Sequence, residues 1–250
     1  MAAVELLATT ALNRHFGGLQ AVRDVQFSLR QGEIRGLIGP NGAGKTTLVG
    51  MISGRLRASS GGIAFKGRDI TRLKSWQRVA LGIVYTFQVT SIYPNLSCYE
   101  NLALAVQRRL PGGLAIRFGG GEGAIAGRVA AALARVGLEE DRDRLAGELP
   151  YGHQRLLEVA MGLALEPELL ILDEPTQGLA EGEIAQFCTL VREIAEGATG
   201  ATVLLIEHNM EVVLDLAERI TVMDRGAVIA EGTAAEIQGD AQVQRAYLGT

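Results

Sequence analysis

The stretch GPNGAGKTTL, Gly39 to Leu48, follows the apolar run IRGLIG and fits the spacing G-x-x-x-x-G-K-[ST] through Gly39, Gly44, Lys45 and Thr46. Glycines let a backbone curl until successive N–H groups point at one centre, which is chemistry for phosphate oxygens. Gly39, Pro40, Asn41, Gly42, Ala43, Gly44, Lys45, Thr46 and Thr47 therefore form a candidate cradle for the β- and γ-phosphates of a nucleotide. Lys45 adds a point charge, and the Thr46 hydroxyl suits Mg²⁺. A second constellation lies in LLILDEP, where Asp173 and Glu174 end an apolar run. Beside a phosphate loop, Asp173 is expected near the metal, through water, and Glu174 is expected to polarise the water that attacks the γ-phosphate. TVLLIEH closes in the same way, with His208 as a γ-phosphate contact.

Such residues need a frame that brings them together. IRGLIG, LLILDE and TVLLIE are short, β-rich and apolar throughout, with helical patterns between them, as in buried parallel strands of an α/β sheet. Sheets of this kind gather ligands at the carboxyl ends of their strands. VRDVQFSLRQGE and GGIAFKGRDI alternate apolar with polar residues and predict antiparallel strands flanking the parallel core. RITVMDRGAVIAEG predicts two strands joined across Asp224, Arg225 and Gly226. ENLALAVQRRL and GRVAAALARVGL have helical spacing, and the glycines of PGGLAIRFGGGEG between them predict a loop over 111–123. The chain thus divides into a core of about 1–88 plus 166–250 and a mainly helical insert of about 89–165, with no internal repeat.

Composition narrows the function. The 250 residues are 48% apolar, enough for a substantial core, and a net charge of −4 gives no basic footprint for nucleic acid. Cys98 and Cys188 belong to no metal spacing and read as packing residues in a reducing compartment. MAAVELLATTALNRHF lacks the basic start of a signal peptide, and no apolar run approaches the ~20 residues of a membrane span. The expectation from composition is a cytoplasmic chain, free to dock on a membrane protein.

The order of motifs, from the phosphate loop through Gln88 after GIVYTF, then LPYGHQ, LLILDE and His208, resembles the nucleotide-binding subunit of an ATP-binding-cassette transporter over essentially the whole chain. The resemblance implies a P-loop ATPase core with an antiparallel β subdomain and an inserted helical subdomain, and it implies ATP and Mg²⁺ as ligands. It places Phe16 of HFGG against adenine and gives Gln88 to Mg²⁺ and the attacking water, beside the groove that receives the membrane subunit. Two cassettes of the family pack head to tail, each ATP lying between one phosphate loop and the partner's signature, commonly Leu-Ser-Gly-Gly-Gln. The matching residues here are Leu149, Pro150, Tyr151, Gly152 and His153, so the serine hydroxyl and first glycine are missing. Free N–H groups at a helix start still bind phosphate, and Tyr151, Gly152 and His153 supply them. A helix start tolerates the N–H that Pro150 lacks. The loss is on the order of one hydroxyl hydrogen bond, about 1–3 kcal/mol to a charged group. Ala180 in TQGLAEGE stands where the family often has Asp.

LPYGHQR, RHFGGLQAVRDVQFSL and VQRAYLG resemble the ATPase subunits of branched-chain amino-acid uptake systems, whose relatives import amides, urea and amphipathic acids. Implied partners are integral-membrane permease subunits, a second cassette (a copy of this chain or a paralogue) and, indirectly, a substrate-binding protein. Lipopolysaccharide-export ATPases share the AYLG type of ending and are the nearest rival. A soluble cassette working on ribosomes or DNA fits less well, because the chain has one cassette, no heptad stretch and no basic tail. A regulatory subunit with little hydrolysis runs against the presence of Glu174 and His208.

Overall fold

The computed structural model describes residues 4–86, 91–109, 122–197 and 200–248. The chain opens with strands β1 (Glu5–Phe16) and β2 (Leu19–Arg30), then β3 (Ile34–Ile38) runs into the glycine loop and helix α1 (Lys45–Ile52). β4 (Ser60–Phe65), β5 (Arg68–Asp69), α2 (Ser75–Ala80) and β6 (Ile83–Thr86) follow. Among the described residues, helices α3 (Cys98–Arg109), α4 (Glu122–Val136) and α5 (Tyr151–Leu163) come next. The chain then alternates through β7 (Leu169–Asp173), α6 (Glu181–Glu196), β8 (Thr202–Ile206), α7 (Met210–Leu216) and β9 (Arg219–Asp224). It closes with β10 (Ala227–Gly232), α8 (Ala234–Gly239) and α9 (Ala241–Leu248).

Among the described residues, six strands form the central sheet in the order β10-β9-β3-β8-β7-β6, parallel except for the antiparallel edge strand β10. Every residue of β3, β7 and β8 is buried, which is why these segments read as unbroken apolar runs. Successive side chains serve opposite layers, as the two-residue period of a strand requires. Leu169, Ile171, Leu204 and Ile206 pack with Leu48, Ile52 and Phe27 on one face. Leu170, Leu172, Val203 and Leu205 pack with Leu157, Val129 and Phe187 on the other.

The first of these layers is closed by a four-stranded antiparallel sheet, β2-β1-β4-β5. The second is closed by helices, α4 presenting Ile125, Val129, Leu133 and Val136 along one buried stripe. Together these are the α/β core, antiparallel sheet and helices expected of a P-loop ATPase of the cassette type. The expected β9–β10 hairpin also forms, and Arg225 and Gly226 both take positive φ (46° and 82°), the conformation its tight turn demands. Of the stretch 111–123 expected as a loop, Glu122 and Gly123 belong to α4, with Glu122 in its first turn, where a helix favours negative charge. The rest of that stretch lies outside the described residues. Cys98 and Cys188 are buried and unpaired, as packing residues. Among the described residues no helix is long and apolar enough to cross a membrane.

Candidate active site

The carboxyl ends of β3, β7 and β8 converge on one edge of the central sheet. After β3 the chain curls through Gly39–Gly44 and enters α1. Gly44 takes φ 101°, and a β-carbon there would lie 2.5 Å from the Ala21 carbonyl oxygen, so only glycine fits. Behind the loop, the Gly226 N–H donates to the Ala43 carbonyl at 2.9 Å, and the Arg23 N–H donates to the Gly226 carbonyl at 2.7 Å. Strand β2 and the β9–β10 turn therefore clamp the loop. Lys45, the first residue of α1, is buried, and its ammonium donates to the carbonyls of Gly39 (2.7 Å) and Pro40 (3.1 Å). Burial pulls its pKa below the ordinary lysine value, and the charges of Glu174 and Asp173 act in the opposite direction. Asn41, Gly42 and Thr46 are exposed, Thr47 is half-buried and Ala43 is buried.

Asp173 ends β7 and is buried, accepting a hydrogen bond from the Tyr85 hydroxyl at 2.5 Å. Burial raises the Asp173 pKa, the Tyr85 hydrogen bond lowers it and the adjacent Glu174 raises it further, while Arg55 and Lys45 lower it. Burial, followed by that same hydrogen bond, pushes the Tyr85 phenol well above its ordinary range. Glu174 has φ 48°, so the chain turns sharply just past the strand, as two neighbouring carboxylates serving one site require. Its carboxylate lies 2.8 Å from His208 Nε2. Two further residues hold this arrangement, and neither stands out in the sequence. Glu207 is buried and accepts from the Thr176 N–H (2.8 Å), the Thr176 hydroxyl (2.6 Å) and the His208 N–H (3.1 Å). Arg155 of α5 is buried and donates to the carbonyl oxygens of Asp173 and Glu174.

The signature stretch begins α5. Pro150 is its N-cap and makes no side-chain capping bond, and Tyr151, Gly152 and His153 form the first turn. A β-carbon on Gly152 would lie 2.1 Å from a Glu183 carboxylate oxygen, and one on Gly178 would lie 3.0 Å from the Tyr151 ring. The Glu183 carboxylate also accepts the Ala180 N–H at 2.7 Å, so α6 is capped from inside the helix where Ala180 offers no side-chain acceptor. His153 Nδ1 lies 3.1 Å from Asp141, directing its ring toward the α4–α5 connection. Phe16 is exposed at the tip of the β1–β2 hairpin, with the Arg14 guanidinium 4.4 Å from its ring centre. Ala21 of that hairpin is the residue abutting Gly44. Gln88 lies outside the described residues.

The residues expected near a metal carry hard oxygen donors, the Thr46 hydroxyl and the Asp173 carboxylate, of the kind a divalent cation such as Mg²⁺ takes. Burial and the Glu174 charge disfavour the ionised Asp173 carboxylate, an electrostatic cost that a nearby dication relieves. Among the described residues no group of three or more His, Cys, Asp or Glu could hold a metal by itself.

A phosphate loop, a strand-end carboxylate pair and a histidine on one sheet edge define a P-loop nucleotidase. The chain belongs to the ABC transporter family, whose model matches residues 22–177; that of the branched-chain amino acid ATP-binding cassette transporters matches residues 227–250. As a nucleotide-binding member of that family, it is an ATPase. It is 39% identical over 250 residues to the high-affinity branched-chain amino acid transport ATP-binding protein LivG of Salmonella typhimurium, covering 98% of each chain. It is 34% identical, with the same coverage, to the corresponding protein BraF of Pseudomonas aeruginosa. The crystal structure of the ADP conformation of MJ1267, an ATP-binding cassette of an ABC transporter, superposes with a TM-score of 0.85 at 30% identity, covering 99% of this chain and all (100%) of that one.

Proposed function

We propose that this chain binds and hydrolyses ATP to power an importer of branched-chain amino acids or related small amphipathic molecules. The observation that carries the hydrolytic part is the Glu174–His208 pair, 2.8 Å apart at the sheet edge that also holds Lys45. Glu174 is the general base that orients and deprotonates the attacking water. His208 contacts the γ-phosphate and holds the Glu174 carboxylate in place. The N–H groups of residues 39–47 and the Lys45 ammonium bind the phosphates, and Phe16 stacks on adenine. Thr46, Asp173 (through water) and Gln88 hold Mg²⁺, which when bound neutralises phosphate charge. Tyr151, Gly152 and His153 offer their N–H groups to the ATP of a second cassette, a copy of this chain or a paralogue.

Residues 1–88 and 166–250 act as the nucleotide-binding core, and 89–165 act as the helical lobe that meets integral-membrane permease subunits. A substrate-binding protein takes part indirectly, and nucleic acid takes no part. The working location is the inner face of the cell membrane. The relatives' names and the match over residues 227–250 support the amino-acid reading over an exporter or a soluble cassette.

The test is affinity purification of the tagged full-length chain from detergent-solubilised membranes, with co-purifying chains identified by mass. Permease subunits and a cassette in the eluate are the expected result. Ribosomal or DNA-repair proteins without any membrane subunit would overturn the proposal.

A further inference from the structure

Arg155 lies one turn into α5, the helix whose start carries the signature residues, and it is 3% exposed. A buried guanidinium is retained only when paired and hydrogen-bonded. Its Nη1 is 2.8 Å from a Glu158 carboxylate oxygen three residues along the same helix, and Glu158 is also buried. Its Nη2 donates to the Glu174 carbonyl at 2.9 Å and reaches the Asp173 carbonyl at 3.3 Å. From the other side, the Glu174 N–H donates to the Ile206 carbonyl of β8 at 2.8 Å. The peptide groups before and after Glu174 are thus both held, while Glu174 itself sits at φ 48°. A residue with a side chain keeps that conformation only where its surroundings impose it. The direction of its carboxylate, toward His208 Nε2, follows from this turn.

We propose that Arg155, backed by Glu158, is a positioning residue for Glu174: the signature helix fixes the general base of its own chain. The inference rests on Glu174 being that base. One helix then serves two ATP sites. Its N-terminal N–H groups face the nucleotide held by the other cassette, and its first arginine sets the base of the site in its own chain.

The experiment measures MgATP turnover and the Michaelis constant of the full-length chain. In Arg155→Met, kcat falls by about 10²-fold, the cost of a misplaced catalytic group, while the Michaelis constant changes less than ~3-fold, because the phosphate loop is untouched. Arg155→Lys keeps the charge but loses the planar fork and recovers only part of that loss. Arg155→Met with Glu158→Leu removes both charges, so none is stranded in the core; it shows the same kcat loss with a melting temperature close to that of the parent. In a Glu174→Gln background, adding Arg155→Met lowers the residual turnover by less than ~3-fold, since residues acting as a unit are not additive. A doubly neutral variant with kcat within ~3-fold of the parent overturns the proposal, as does a full ~10²-fold further loss in the Glu174→Gln background. Near-parental turnover of Glu174→Gln alone is a separate failure: it removes the general-base reading itself, and the positioning role with it.

Discussion

The phosphate loop and the first turn of α5 both present N–H groups at the start of a helix, yet they are held by different means. Backbone closes on the loop: the Ala21 carbonyl abuts Gly44, and the Gly226 N–H takes the Ala43 carbonyl. The start of α5 is held by side chains, with the Tyr151 ring over Gly178, the Glu183 carboxylate against Gly152 and His153 against Asp141. A site clamped by backbone leaves no room for a β-carbon and demands its glycine. A site supported by side chains accommodates other residues as long as the helix start survives, and this explains how Pro150, Tyr151 and His153 can stand where the family usually has Ser, Gly and Gln.

The largest effect of this contrast belongs to the loop. Lys45→Ala removes a charge-assisted contact worth about 1.5–3 kcal/mol and should weaken ATP binding by ~10–100-fold; equilibrium binding of a fluorescent ATP analogue measures it. Unchanged affinity would break the assignment of the loop. Pro150→Ser at the α5 start should act in the opposite direction and more weakly. It restores a hydroxyl for phosphate and supplies an N-cap acceptor worth ~1 kcal/mol to the helix. ATP-driven association of a Glu174→Gln background, followed by sedimentation, should strengthen by roughly tenfold, the lower end of what one hydroxyl bond to a charged group is worth. The melting temperature should rise by about 2–4 °C with or without nucleotide. Weakened association would mean that the prolyl ring itself is part of the contact.

The smallest effect separates the metal-side carboxylate from both. Burial, with help from the Glu174 charge, raises the Asp173 pKa in the folded chain. Between the ordinary aspartate value and the raised one, the folded state binds more protons than the unfolded state, so this group costs stability as pH rises through that window. Above the window the cost is fully present. Asp173→Asn should therefore raise the melting temperature of the nucleotide-free protein at pH 7, as scanning calorimetry would show. The gain should vanish as the pH is lowered through the window, and a gain that persists there would exclude this cause.

Features set by local spacing were legible in the sequence. The phosphate loop, the strand-end carboxylates and the β9–β10 turn depend on neighbours within a few residues. The features that escaped depend on distant contacts. Tyr85 meets Asp173 across 88 residues, and Glu207 meets Thr176 across 31. In the sequence, Arg155 and Glu158 look like an ordinary exposed pair at helical spacing, and nothing local says that both are buried. Strand β1 escaped for another reason. Its pairing with β2 is interrupted by register shifts between Thr9 and Leu12, Leu12 and Arg14, and Arg14 and His15, and these break the alternation that marks a strand.

The carbonyl oxygens of Gly39, Pro40 and Ala43 are already occupied, two by the Lys45 ammonium and one by the Gly226 N–H. A peptide whose carbonyl is fixed has its dipole fixed as well. The rim of the phosphate loop is therefore polarised before any anion arrives, in the manner of a solid with frozen dipoles rather than a solvent that must rotate to respond. Little reorganisation of those peptides remains when a triphosphate enters, so its capture should be set by the rate of encounter and by the field of the site.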